Sequence, residues 1–101
     1  MATVTFSPFI QQCVMCPMEE VFGNTVREVL DAYFEKHQLA RGCILDDRSG
    51  LRPRLALAVD GIWATDRAGL SEPVHARASV HICQVPLDVE YEEFQVRAST
   101  F

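Results

Sequence analysis

Cys13 and Cys16 bracket Val14-Met15 in the C-x-x-C spacing. That spacing supplies half of a tetrahedral zinc site, or a dithiol redox pair when it opens a helix after a strand. The other ligand types, Cys43, Cys83, His37, His75 and His81, are scattered singly. No second such pair completes a closed site, and Cys13 falls in a stretch that reads as strand and turn. Buried or half-buried thiols are the simpler expectation. His81 alternates with apolar neighbours and reads as a structural histidine. His37 ends a helical pattern, and His75 lies in an irregular stretch with no carboxylate beside it in sequence. Asp46-Asp47 and Asp60 keep turn-forming company and do not read as a paired general acid and base. Trp63, after Asp60-Gly61, suits a core or capping position. The chain contains neither a G-x-S-x-G turn for an activated serine nor a glycine-rich phosphate loop. These residues point to no catalytic centre, no metal and no cofactor.

The elements around them are clearer. Thr25 to His37, TVREVLDAYFEKH, places Val26, Val29, Leu30, Tyr33 and Phe34 at helical spacing, with charged residues on the other side. Thr25 and Glu28 form a capping-box pattern. Ala2 to Phe6 alternates as a half-buried strand, and Ser7-Pro8 breaks it. Phe9 to Gln12 is compatible with a turn or a resumed strand. Cys13 to Val21 reads as a second strand interrupted at Pro17, an edge or bulge feature. These two strands most simply form a hairpin. Leu39 to Leu45 suits a short extra turn of helix covering the sheet edge, and Asp46 to Gly50 a polar loop. Arg54 to Val59 suits a central strand. Asp60-Gly61 is a tight-turn signal before the short strand Ile62 to Ala64. Thr65 to Ala78 is irregular, anchored by Leu70 and Val74. Ser79 to Val85 is the last strand of the body, with Val80, Ile82 and Gln84 on one face. The expected architecture is α+β: a mixed sheet of four to five strands with one main helix across it, most economically a β-grasp.

The 101 residues suffice for one core, with 49% apolar and 23% charged residues. A net charge of −5 without a Lys/Arg cluster speaks against nucleic-acid binding. No run approaches the ~20 apolar residues of a spanning helix. The N-terminal stretch lacks the basic-then-apolar pattern of a secretory signal. Four cysteines are few for a disulfide scaffold, so the expected compartment is the cytoplasm with reduced thiols.

Together, the TVREVLDA helix start at Thr25 to Ala32, LDD at Leu45 to Asp47, VDG at Val59 to Gly61 and GLSEPV at Gly69 to Val74 resemble the MoaD/ThiS sulfur-carrier family. With the first strand included, the resemblance covers about residues 2–85, and its order and spacing are more specific than any one motif. The resemblance implies a ubiquitin-like β-grasp. In that family a flexible tail ends in Gly-Gly. An ATP-using enzyme adenylates its carboxylate, which becomes a thiocarboxylate and donates sulfur. Glycines without a Cβ let such a tail enter a narrow channel. This chain departs there. After Val85 it runs PLDVEYEEFQVRASTF, with Asp88 and Val89 near the diglycine position, and its last glycine is Gly69. The expectation is a carrier-shaped domain, 1–85, without carrier activity.

The extension, 86–101, alternates Leu87, Val89 and Tyr91 with Asp88, Glu90 and Glu92; Phe94 and Val96 follow after a one-residue slip. It suits an added edge strand packed on its own domain, with a bulge near Glu92-Glu93, or a segment that pairs with a partner. Val85, Pro86, Leu87, Val89, Tyr91 and Phe94 are the candidate partner-binding residues. The expected partner is a protein, adenylating-enzyme-like or synthase-like, or a second copy meeting the sheet edge or tail. The alternatives are a surviving role as a sulfur carrier or molybdopterin-synthase small-subunit relative, and a small metal or redox protein using Cys13 and Cys16.

Overall fold

The computed structural model describes residues 1–84. In chain order the elements are β1 (Ala2–Phe6), α1 (Pro8–Cys13), β2 (Glu19–Val21), α2 (Val26–Lys36), α3 (Gln38–Ile44), β3 (Leu55–Val59), β4 (Ile62–Trp63) and β5 (Ser79–Gln84). The strands form one five-stranded sheet in the order β2-β1-β5-β3-β4. β1 and β5 are parallel at its centre, and every other neighbouring pair is antiparallel. With α2 packed across one face, this is the mixed α+β sheet of a ubiquitin-like β-grasp, as the order of elements implied.

The apolar stripe of α2 is the reason it lies there. Val26, Val29, Leu30, Tyr33 and Phe34 are all buried, each worth roughly 1.5–3 kcal/mol of transfer before entropy. They meet Val4 and Phe6 of β1, Leu55 and Leu57 of β3, and Val80 and Ile82 of β5 in a single core. Thr25 Oγ1 accepts from the Glu28 amide at 3.2 Å, and the Glu28 carboxylate lies 3.4 Å from the same hydroxyl. Two further amides at the helix start find carbonyls in the long loop after β4: Val26 donates to Glu72 at 3.0 Å and Arg27 to Leu70 at 2.8 Å. The Arg27 guanidinium then donates to the Ser49 and Ala68 carbonyls, fastening both irregular loops to α2.

The second-strand expectation is corrected. Residues 8–13 are helical, and β2 keeps only three residues. Pro8 enters at the start of α1, where its fixed φ and missing N–H cost nothing. Ile10 is buried, and the Gln11 side chain donates to the Phe6 carbonyl at 2.8 Å. Pro17 cannot donate to a ladder. Its carbonyl instead accepts from the Tyr33 hydroxyl at 2.7 Å. β1 and β2 still pair antiparallel, as a hairpin whose connection carries α1.

Among the described residues, three aspartates organise turns. Asp46 accepts from the Gly50 and Arg48 amides, both at 2.9 Å. Asp60 accepts from the Ser79 amide at 2.9 Å and faces His75 Nε2 at 2.7 Å. Asp66 accepts from the Ser71 hydroxyl at 2.5 Å, the Gly69 amide at 2.9 Å and the Ser71 amide at 3.1 Å. The Gly50 amide chiefly holds Asp46 below the usual carboxylate range, the Ser79 amide holds Asp60 there, and the Ser71 hydroxyl holds Asp66 there. A depressed folded-state pKa gives stability that is complete above the ordinary value of about 4 and is lost as pH falls through the lower folded value. Asp66→Asn should therefore melt below the parent at neutral pH, with the gap closing in acid. Melting curves across that range check it.

Candidate interaction surface

Val85, Pro86, Leu87, Val89, Tyr91 and Phe94, and the whole segment 86–101, lie outside the described residues. The chain reaches that segment from the middle of the sheet. β5 lies between β1 and β3, and its last residue, Gln84, stands opposite Leu55. Beside this exit, the Ser7 amide donates to the Ile82 carbonyl at 2.9 Å, which sets α1 against β5.

Each histidine has a polar side-chain neighbour, and Cys16 is buried. Cys13 ends α1 and Cys16 is buried in the loop that follows, so the C-x-x-C pair does not open a helix. Burial pushes the Cys16 thiol up from its ordinary value, with Cys43 adding to the effect, and burial alone pushes Cys83 up. Raised thiols are poor nucleophiles. His81 Nδ1 is 2.8 Å from Thr5 Oγ1, its cross-strand neighbour. His37 Nε2 meets Glu19 Oε2 at 2.7 Å and stacks on Tyr33 with ring centroids 4.7 Å apart. His75 does have a carboxylate, Asp60, brought to it by the β3–β4 turn. Asp60 and Gly61 both have positive φ, 52° and 82°, as a tight hairpin turn requires. Among the described residues no three His, Cys, Asp or Glu side chains converge as a metal site would need. Nor is any described helix long and apolar enough to cross a membrane.

What the sequence pattern did not single out is the surface beside β2. Leu39 (91% exposed), Met15 (83%), Phe22 (73%) and Met18 (66%) stand in solvent there, together with Met1. Two shallow hollows join all of these but Met18. One is lined by Met15, His37 and Leu39, the other by Val21, Phe22 and Ala32, and both share Glu35 and Lys36. An exposed apolar surface rimmed by charge is a usual mark of a contact site. In sequence, Met18 fell inside the expected second strand, Cys13 to Val21, and Phe22 just beyond it, with nothing to mark either as exposed. The shortness of β2 and its edge position in the described sheet leave them exposed.

Among solved structures, the crystal structure of SAMP1 from Haloferax volcanii matches with a TM-score of 0.67 and 17% identity, over 85% of this chain and 96% of that one. A second, of H. volcanii small archaeal modifier protein 1, matches with a TM-score of 0.66 and 17% identity, over 84% and 97%. A chain of the Amycolatopsis orientalis BexX/CysO complex matches with a TM-score of 0.72 and 17% identity, over 85% and 97%. At this identity the likeness shows the fold. No protein-family model matches the chain, and no curated protein matches it in sequence.

Proposed function

We propose that this chain is a non-catalytic protein-interaction module built on the scaffold of a sulfur carrier. The observation that carries the reading is a contrast. The body takes the β-grasp of the SAMP1 and CysO structures over nearly their whole length, yet no glycine follows Gly69 in the sequence. A tail of bulky residues does not fit a channel made for residues without a Cβ. The pair Asp88 and Val89, near the family's diglycine position, puts a charge and a β-branched side chain there.

The partner is a protein, of the adenylating-enzyme or synthase kind. CysO was crystallised in complex with BexX, which supports association with another protein as the use of this scaffold. Val85, Pro86, Leu87, Val89, Tyr91 and Phe94 are the tail residues assigned to that contact, with the sheet edge as the second element. Cys16, Cys43 and Cys83 are free thiols, which supports a reducing compartment such as the cytoplasm.

ATP–pyrophosphate exchange tests the reading. With an adenylating enzyme of the sulfur-carrier type, the full chain should give exchange no faster than enzyme alone, while a diglycine-ended carrier gives robust exchange. Chain-dependent exchange would return the protein to sulfur transfer, in the manner of a molybdopterin-synthase small subunit.

A further inference from the structure

On the reading of this chain as an interaction module, we propose that the β2 edge of the described sheet and the adjoining hollow against α2 receive an extended, cationic segment of the partner as an added strand. The backbone carries the first half of the case. Thr3 donates its amide to Ala78 at 2.9 Å, toward β5. Its polar groups therefore point away from β2. Thr3 and Glu20 are register partners, so they form a pair that is not hydrogen-bonded, and the Glu20 N–H and C=O point outward from the sheet. β2 is the edge strand of the described sheet. An incoming strand can pair with Glu20 and carry its alternate side chains to Phe22 on one side and toward Ala32 on the other.

Charge selects the occupant. Glu20, Glu28 and Glu35 are exposed around Phe22 and outnumber the two fixed cations there, Lys36 and the Met1 ammonium, which already donates to the Ala76 carbonyl; His75 also lies at this rim, paired with Asp60. A second copy would bring Glu19 and Glu20 of two chains face to face, each chain carrying a net charge of −5. Like charges opposite one another across strands are destabilising. A strand bearing Lys or Arg between apolar residues meets the same edge with opposite sign, and its apolar side chains cover Met18 and Phe22.

The probe is a short, end-blocked peptide of alternating Lys and Val, titrated into the isotope-labelled full chain and followed by amide NMR shifts. Shifts should centre on Met18 to Phe22 and on Ala32, Glu35 and Lys36. A Glu–Val peptide should give none, and a Lys–Pro peptide of equal charge that cannot form a strand should give little. Glu20→Pro removes the outward donor and leaves the pairing with β1 intact, because that N–H faces solvent. It should weaken binding about fivefold, the loss of one backbone donor. Phe22→Ser, at an exposed position, should weaken it comparably and serves if the proline variant fails to fold. The proposal is overturned by shifts centred on Thr5 and His81, by equal responses to Lys–Val and Lys–Pro, by affinity unchanged in the variants, or by no shifts at all. Adenylation of the chain would overturn the interaction-module reading and leave this titration standing; a blank titration does the reverse.

Discussion

Tyr33→Ala should lower the folding free energy by about 3–5 kcal/mol, the range for deleting a large buried aromatic. Tyr33 has no exposed surface, although it sits one turn from the end of α2. Its ring lies 5.2 Å from that of Phe6 on β1 and 5.4 Å from that of Phe34, and it carries His37 stacked on it at 4.7 Å. Its hydroxyl donates to the Pro17 carbonyl at 2.7 Å. Burial pushes that hydroxyl well above its ordinary pKa, with Cys16 and Glu19 adding to it, so it stays a neutral donor. The side chain thus joins three things: the helix, the first strand, and the loop that delivers β2. Tyr33→Phe separates packing from hydrogen bonding and should cost only about 1 kcal/mol. Chemical denaturation of the two variants checks both values. Against a total of the order of 5–15 kcal/mol, the alanine variant should be unfolded in part at physiological temperature. Equal costs for the two variants would mean that the ring is not the joint described.

Gly23→Ala should cost about 1–3 kcal/mol, at a site that looks like an ordinary turn in the sequence. A Cβ built on Gly23 would lie 2.7 Å from the Val29 amide nitrogen, 2.8 Å from Val29 Cγ2 and 3.0 Å from the Glu28 carbonyl carbon. Two of those three atoms are helix backbone and cannot rotate aside. The connection from β2 therefore passes flat against the first turn of α2, and a methyl group must lift it away. The same substitution at Gly42, where an added Cβ would meet nothing within 4 Å, is the control and should not be destabilising. Thermal melts of the pair distinguish close approach from a general effect of removing glycine.

The parts of the fold legible in sequence are those whose signals are local and long enough to repeat. Eleven residues of α2 give five buried positions in phase, and Asp60-Gly61 names its own turn. α1 has six residues, under two turns, too few for a period to stand out. Its only local sign was Ser7-Pro8, a helix-start signature that equally well ends a strand. The pairs His75–Asp60 and His37–Glu19 join residues far apart in the chain, and no spacing rule announces them. The exposed edge was hidden for another reason. Phe22, Met18 and Leu39 are apolar, and composition alone assigns apolar residues to a core. Met18 and Phe22 are freed because Pro17 and the turn at Gly23 shorten β2, which has one neighbour in the described sheet, while Leu39 stands on the outer side of α3.

The most direct measurement is the intact mass of the full chain after incubation with a sulfur-carrier adenylating enzyme, ATP and a sulfur donor, beside a diglycine-ended carrier treated alike. An interaction module that cannot be charged should keep its mass while the carrier gains the increment of sulfur replacing oxygen. A thiocarboxylate on this chain would contradict the account.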